Sequence, residues 1–378
     1  MQNNKKRYGI LSCNIYCNFT NYGSALQTYA LQKAIDSIYP QKIEAVVVDY
    51  CPDVLKEVDI LNPLKIMWDQ DEESQLNCRL SLDSIRINKE KFDNFFKTRY
   101  NLSAQKYTSN TLDDCLEKES LSGYVVGSDT VFCLEEFKLD NGYFANYETM
   151  RHHSVSYAAS FGDSRFDEHS YAKLNILLKN FKALGIREYD MIPYIKEHVS
   201  CPVARTIDPT LLLTKEDYAE ITAPREYEEP YMLMYTRRYN EAMEKYARDL
   251  AERNGWKFVE ISLRATNADK GSVMRYDAGV EEFLSLIKHS EMVVTNSFHG
   301  MIFSVIFEKD FVAFSRNECD TKISELLELF GIADRLMVNG KEDTPSQIDY
   351  AKVHQRIGTA RIESLNFLKK ELLEYIND

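Results

Sequence analysis

The stretch Met292-Val293-Val294-Thr295-Asn296-Ser297-Phe298-His299-Gly300, with Met301-Ile302-Phe303-Ser304-Val305-Ile306-Phe307 after it, decides the fold. Met292 to Val294 read as a short buried strand, and Met301 to Phe307 as a buried helix. A hydroxyl, an imidazole and a glycine then fall where a strand ends and a helix begins. Open α/β sheets bind ligands at that place. The free N–H groups of a helix start attract anions. His299 is the one ionisable group in the motif that moves a proton near pH 7. A capping histidine at a tight turn would carry the same letters.

The same unit recurs on both sides of this stretch. Tyr8 to Cys13 read as a first strand, followed by a polar loop with Asn21-Tyr22-Gly23-Ser24. Leu26, Ala30, Leu31, Ala34, Ile35 and Ile38 then fall at helical spacing. Ile43 to Asp49 form the next strand, so the sheet is expected to be parallel. Tyr124 to Val126 end in Gly127-Ser128-Asp129, Val155 to Ala159 in Ser160-Phe161-Gly162, and Phe181 to Ile186 in Arg187-Glu188. Polar or glycine residues thus follow each short strand and would line one sheet edge. Residues 52–120 are less regular and read as an inserted, exposed helical segment. The acidic run Asp69 to Glu73 within it reads as a solvated face.

A connector with Pro224 and Pro230 precedes a second set of strands and helices from Tyr231 onward. Its first helix is capped by Asn240 and ends at Gly255. A long amphipathic helix covers roughly 350–376. The expected architecture is α/β: two Rossmann-like domains facing across a cleft, in a GT-B-like arrangement, with a long C-terminal helix. The N-terminal domain spans 1–213, with the insertion near 52–120. The C-terminal domain spans 231–345, and the helix 346–378. Clefts between domains favour small-molecule chemistry.

The chain has 378 residues, which suits two domains. Its net charge of −13 argues against a nucleic-acid binder. Eight cysteines, at 13, 17, 51, 78, 115, 133, 201 and 319, show no paired spacing for zinc or a disulfide framework. Free thiols imply a reducing compartment. No apolar run reaches the length of a membrane span, and Met1 to Arg7 lack a signal peptide's apolar core. The expectation is a cytoplasmic protein with no metal, free to work at the inner face of a membrane.

Six blocks in order resemble the polysaccharide pyruvyl transferase family. They are Asn21-Tyr22-Gly23-Ser24-Ala25-Leu26-Gln27-Thr28-Tyr29-Ala30-Leu31, Gly127-Ser128-Asp129, Ala159-Ser160-Phe161-Gly162, Arg187-Glu188, Asp208 to Leu213, and Ser297 to Gly300. The resemblance covers about residues 8–315. Many relatives carry Asp where Asn296 stands. One branch reads Arg-Leu-His, its Arg on the donor, whereas Ser297-Phe298 precede His299 here. A donor-binding cation must then come from elsewhere, or the donor differs.

The resemblance implies transfer of a pyruvyl group from phosphoenolpyruvate onto a sugar, forming a ketal, with no cofactor beyond that co-substrate. The acceptor would be a nucleotide- or lipid-linked sugar of a surface-polysaccharide precursor. Such chemistry needs donors for two anions and an acid/base near neutrality. His299 is assigned to proton transfer. Asp129 is assigned as base or sugar orienter, with a turn cap as the alternative. Arg187 is the candidate bidentate anion contact, with Asn296, Ser297 and Gly300 beside the donor. Asn21, Gly23, Ser24, Ser128 and Arg237 are expected to line the cleft; a capped turn explains Asn21, Gly23 and Ser24 equally, and an exposed loop explains Arg237 better. Asp208-Pro209 reads as a structural turn. Competing readings are a GT-B-type glycosyltransferase using a sugar nucleotide and a non-catalytic binding protein of the same fold.

Overall fold

The computed structural model describes residues 5–65, 70–162, 164–315, 320–338 and 345–373. Cys319, Asp69, Met1 to Asn4 and the predicted end of the last helix at 376 lie outside the described residues.

Thirteen described strands form two sheets. The first holds β1 (Lys6–Leu11), β2 (Ile43–Cys51), β3 (Leu102–Thr108), β4 (Gly123–Val126), β5 (Ser154–Ala159), β6 (Phe181–Ile186) and β7 (Val203–Arg205). Its order is β3-β2-β1-β4-β5-β6-β7. The second holds β8 (Tyr231–Tyr235), β9 (Lys257–Ile261), β10 (Val273–Met274), β11 (Met292–Thr295), β12 (Asp310–Phe314) and β13 (Leu336–Met337). Its order is β10-β9-β8-β11-β12-β13. Every ladder is parallel. The strand order reverses between β1 and β4 in one sheet, and between β8 and β11 in the other. Crevices open at such switch points, beyond the strands' C-terminal ends.

The central strands read as continuous apolar runs because helices cover both faces. Strands β2 and β11 are buried along most or all of their length. The edge strand β3, LSAQKYT, is mostly exposed or half-buried. Its polar composition hides it from a pattern search for strands.

The insertion is not simply exposed. Helix Leu82–Arg99 buries Phe92, Phe95 and Phe96 against the first helix, Tyr22–Ile38. Its other contacts reach the second half: Asn88 Nδ2 donates to the Ala278 carbonyl at 2.6 Å, and Arg99 pairs with Glu281 at 2.5 Å. The final helix, Tyr350–Leu373, crosses back to the first sheet. There Tyr8 donates to the Leu372 carbonyl, and Ser364 Oγ accepts from Ile207 N. One apolar cluster therefore runs continuously from Tyr8 and Leu26 through Phe283 and Phe303 to Leu368.

Candidate active site

The two crevices meet around one buried group of side chains. Helix Tyr22–Ile38 starts the first wall. Asn21 is its N-cap, accepting from Gly23 N and Ser24 N at 3.1 and 3.3 Å. Ser24 Oγ, one residue into the next turn, donates to Asp129 Oδ2 at 2.7 Å. Asp129 follows β4 on a tight turn. Gly127 there has φ +121°, and an added Cβ would lie 2.3 Å from the Tyr157 carbonyl oxygen, so only glycine fits. Gln27 fastens this turn from the helix: its Oε1 accepts from Ser128 N at 3.2 Å, and its Nε2 donates to Ser12 Oγ at 2.6 Å.

Arg187, just past β6, lies at the centre and is 9% exposed. Its Nη2 donates to Ser128 Oγ at 2.6 Å and stands 2.8 Å from Asp208 Oδ2. Its Nη1 is 3.9 Å from Asp129 Oδ1. From the second sheet, His299 points its Nε2 to within 3.4 Å of the same Asp208 oxygen. Phe298 packs under the guanidinium, whose carbon is 5.2 Å from the ring centre.

Asp208 is the hub that sequence reasoning missed. Its Oδ1 does cap the turn Pro209–Leu212, accepting from Thr210 N at 2.9 Å. The other oxygen faces Arg187 and His299, so the residue does more than hold a turn. Its position three residues beyond a strand end was the available signal.

The charges settle one another. Burial alone would raise the Asp129 carboxyl, but the His299 and Arg187 charges and the Ser24 hydroxyl hold it below the ordinary carboxylate range. Burial opposes ionisation of Asp208 too, and Arg187, His299 and Thr210 outweigh it. Burial would lower Arg187, yet Asp208, Asp129 and Glu188 raise it above its usual value. Both carboxylates and the guanidinium are therefore ionised at neutral pH.

The contacts at 2.8 and 3.4 Å to Asp208 lack hydrogen-bond geometry; the first is an ion pair, and the second is one only when the imidazole is protonated. Arg187 Nε, His299 Nε2 and Asp208 Oδ2 are all buried without a hydrogen-bond partner. Buried polar atoms without partners are uncommon and call for an explanation. A small cavity adjoins Arg187 and Asp208. Arg187, Asp208 and Phe298 line it together with Arg205, Lys322 and Glu325.

A model of the polysaccharide pyruvyl transferase family matches residues 21–318. The chain belongs to this family. Comparison with curated proteins gives no match. Among solved structures, the fold is similar to the S. aureus MnaA–UDP co-structure, at 15% identity and TM-score 0.53, covering 99% of this chain and 97% of that one. It is also similar to UDP-GlcNAc 2-epimerase from Neisseria meningitidis bound to UDP-GlcNAc, at 11% identity and TM-score 0.51, covering 98% and 99%. UDP-N-acetylglucosamine 2-epimerase from Rickettsia bellii gives 10% identity and TM-score 0.52, over 98% and 96%. These likenesses establish a GT-B-type arrangement of two α/β halves.

Several residues of the transferase hold structure rather than face the cavity. Asn296 Oδ1 accepts from Arg237 N at 2.9 Å, and its Nδ2 donates to the Arg238 carbonyl at 2.6 Å. Aspartate could not make the second bond, so Asn296 orders the 236–238 loop and is not placed to hold a donor. Ser297 caps the helix Phe298–Ile306, accepting from Gly300 N at 3.2 Å. That N–H is then unavailable to an anion. Asn21 likewise serves as a cap. Arg237 stacks on Phe19, 4.1 Å from the ring centre.

Gly23 has a sharper role. A Cβ built on it would lie 1.9 Å from His299 Nδ1. The imidazole therefore packs on the bare backbone of the first helix, which orients it across the cleft. Gly23→Ala is expected to displace the ring, lowering turnover and costing about 1–3 kcal/mol of stability by overpacking. Steady-state kinetics and urea unfolding of that variant check this. Unchanged turnover would show that the contact does not orient His299.

Proposed function

We propose that the transferase moves a pyruvyl group from phosphoenolpyruvate onto a sugar of a surface-polysaccharide precursor, forming a ketal. One sugar hydroxyl adds to C2 of the donor while C3 gains a proton. The phosphate then leaves, a second hydroxyl closes the ketal, and its proton departs with the phosphate. Donor and acceptor supply every atom, and no further cofactor is required. This reading places the reaction in the cytoplasm, at the inner face of the membrane when the acceptor is lipid-linked. Among the described residues, no helix is long and apolar enough to cross a membrane.

The observation that carries the proposal is the buried cluster of Arg187, Asp129, Asp208 and His299 beside a cavity that Arg187 and Asp208 line. His299, beside two ionised carboxylates, delivers the proton. Asp129, fixed by Ser24, orients or deprotonates the sugar hydroxyl. Arg187 offers its unoccupied Nε–H to the donor. The full guanidinium fork expected from sequence is not available, because Nη2 already serves Ser128 and faces Asp208.

The deciding experiment is phosphate release from phosphoenolpyruvate across a panel of nucleotide- and lipid-linked sugars. Release dependent on an acceptor supports the proposal. Release of a nucleoside diphosphate from a sugar nucleotide, without use of phosphoenolpyruvate, would replace it with glycosyl transfer. Arg187→Lys is expected to weaken donor binding by about 1–3 kcal/mol, since an ammonium cannot reproduce the geometry of this buried guanidinium. Calorimetric titration with phosphoenolpyruvate reads the difference. Parent-like binding by Arg187→Lys and Arg187→Ala alike would remove Arg187 from the donor site.

A further inference from the structure

The cavity is lined by three cations, Arg187, Arg205 and Lys322. Two of them are already matched. Arg187 lies 2.8 Å from Asp208 and 3.9 Å from Asp129, and Arg205 lies 3.7 Å from Glu325. Arg205 also stands over the Tyr189 ring at 5.6 Å. Among the described residues, Lys322 Nζ has neither an ion-pair nor a hydrogen-bond partner. Glu136 feels its charge only from beyond ion-pair distance.

Lys322 belongs to helix Asp320–Phe330 of the second half, yet it reaches the first. A Cβ built on Gly162 would lie 3.5 Å from its Nζ. Gly162 closes the turn after β5, where φ is +66°. The ammonium therefore spans the cleft beside the backbone of that turn, and it shares the cavity with Arg187, whose Nε–H has no hydrogen-bond partner.

We propose that Lys322 anchors a phosphoryl group in this cavity. A lysine binds phosphate as a compact point charge with three rotatable donors, which suits a tetrahedral dianion. The N–H groups of Arg187 that make no hydrogen bond, on Nε and Nη1, suit a carboxylate oxygen. The two together would accept the two anionic ends of the donor. The identity of that donor rests on the pyruvyl-transfer reading; the anchor itself does not. A diphosphate on the sugar substrate offers the same chemistry.

Calorimetric titration of the full chain distinguishes these sources. The probes are inorganic phosphate, phosphoenolpyruvate and UDP, against the parent, Lys322→Ala and Lys322→Arg. Lys322→Ala is expected to weaken phosphate and phosphoenolpyruvate alike, by roughly 10- to 100-fold, with Lys322→Arg recovering part of the loss. If the parent binds UDP but not phosphoenolpyruvate, and Lys322→Ala weakens UDP, the anchor stands while the pyruvyl-donor reading falls. If Lys322→Ala binds all three probes as the parent does, the anchor is refuted. It is refuted equally if the parent binds none of them.

Discussion

His299→Ala is expected to lower kcat by roughly 10²-fold or more, because the imidazole is the group placed to move a proton. The alanine variant also removes a ring that is 7% exposed and packed on Gly23, so some stability goes with it. His299→Gln separates the two effects. The amide fills most of the space and keeps a hydrogen-bonding head, but it cannot carry a proton. Its turnover should fall nearly as far as that of the alanine variant while its melting temperature stays close to the parent's. Substrate turnover and thermal unfolding measured on both variants check this. A glutamine variant with parent-like kcat would make His299 a packing residue.

The second large effect is on stability. Asp208→Ala leaves the buried Arg187 guanidinium without its nearest counter-charge, a change of about 3–5 kcal/mol when a buried pair is broken. Asp129, at 3.9 Å, offsets part of this. The alanine also loses the cap on Thr210. Asp208→Asn isolates the charge, since its Oδ1 still accepts from Thr210 N. The folded carboxyl sits below its unfolded value of about 3.9. Its contribution is therefore fully present above about pH 4 and is lost as pH falls towards the folded value. The stability gap between parent and Asp208→Asn should be widest at neutral pH and should shrink in acid. Urea unfolding from pH 7 down to pH 3 measures it. A gap that stays constant or grows in acid would show that the Asp208 charge does not stabilise the fold.

Period and composition made most of the fold legible. Strands such as β8 and β9 are found at Tyr231–Tyr235 and Lys257–Ile261, where the apolar runs place them. The capped start at Asn240 and the left-handed stop at Gly255 are local chemistry that needs no tertiary information. The misses each have a physical cause. Strand β3 is polar because it is an edge, and β10 and β13 are two residues long. Helix Leu82–Arg99 looks solvated because only a narrow face packs, and its Asn88 contact to Ala278 joins residues far apart in the chain.

The sequence by itself determined the kind of residue at each strand end: Asp129, Arg187 and His299 all belong to local motifs whose strand-to-turn geometry follows from nearby residues. Which of them meet, and with what, only the tertiary structure decided. Asp208 joins Arg187 to His299 across 91 positions of sequence, from Asp208 to His299. No periodicity encodes that juxtaposition. It arises because two parallel sheets bring their switch-point crevices together over one shared core. There a buried guanidinium must find a counter-charge, and the pairing that results settles which polar atoms remain for a ligand.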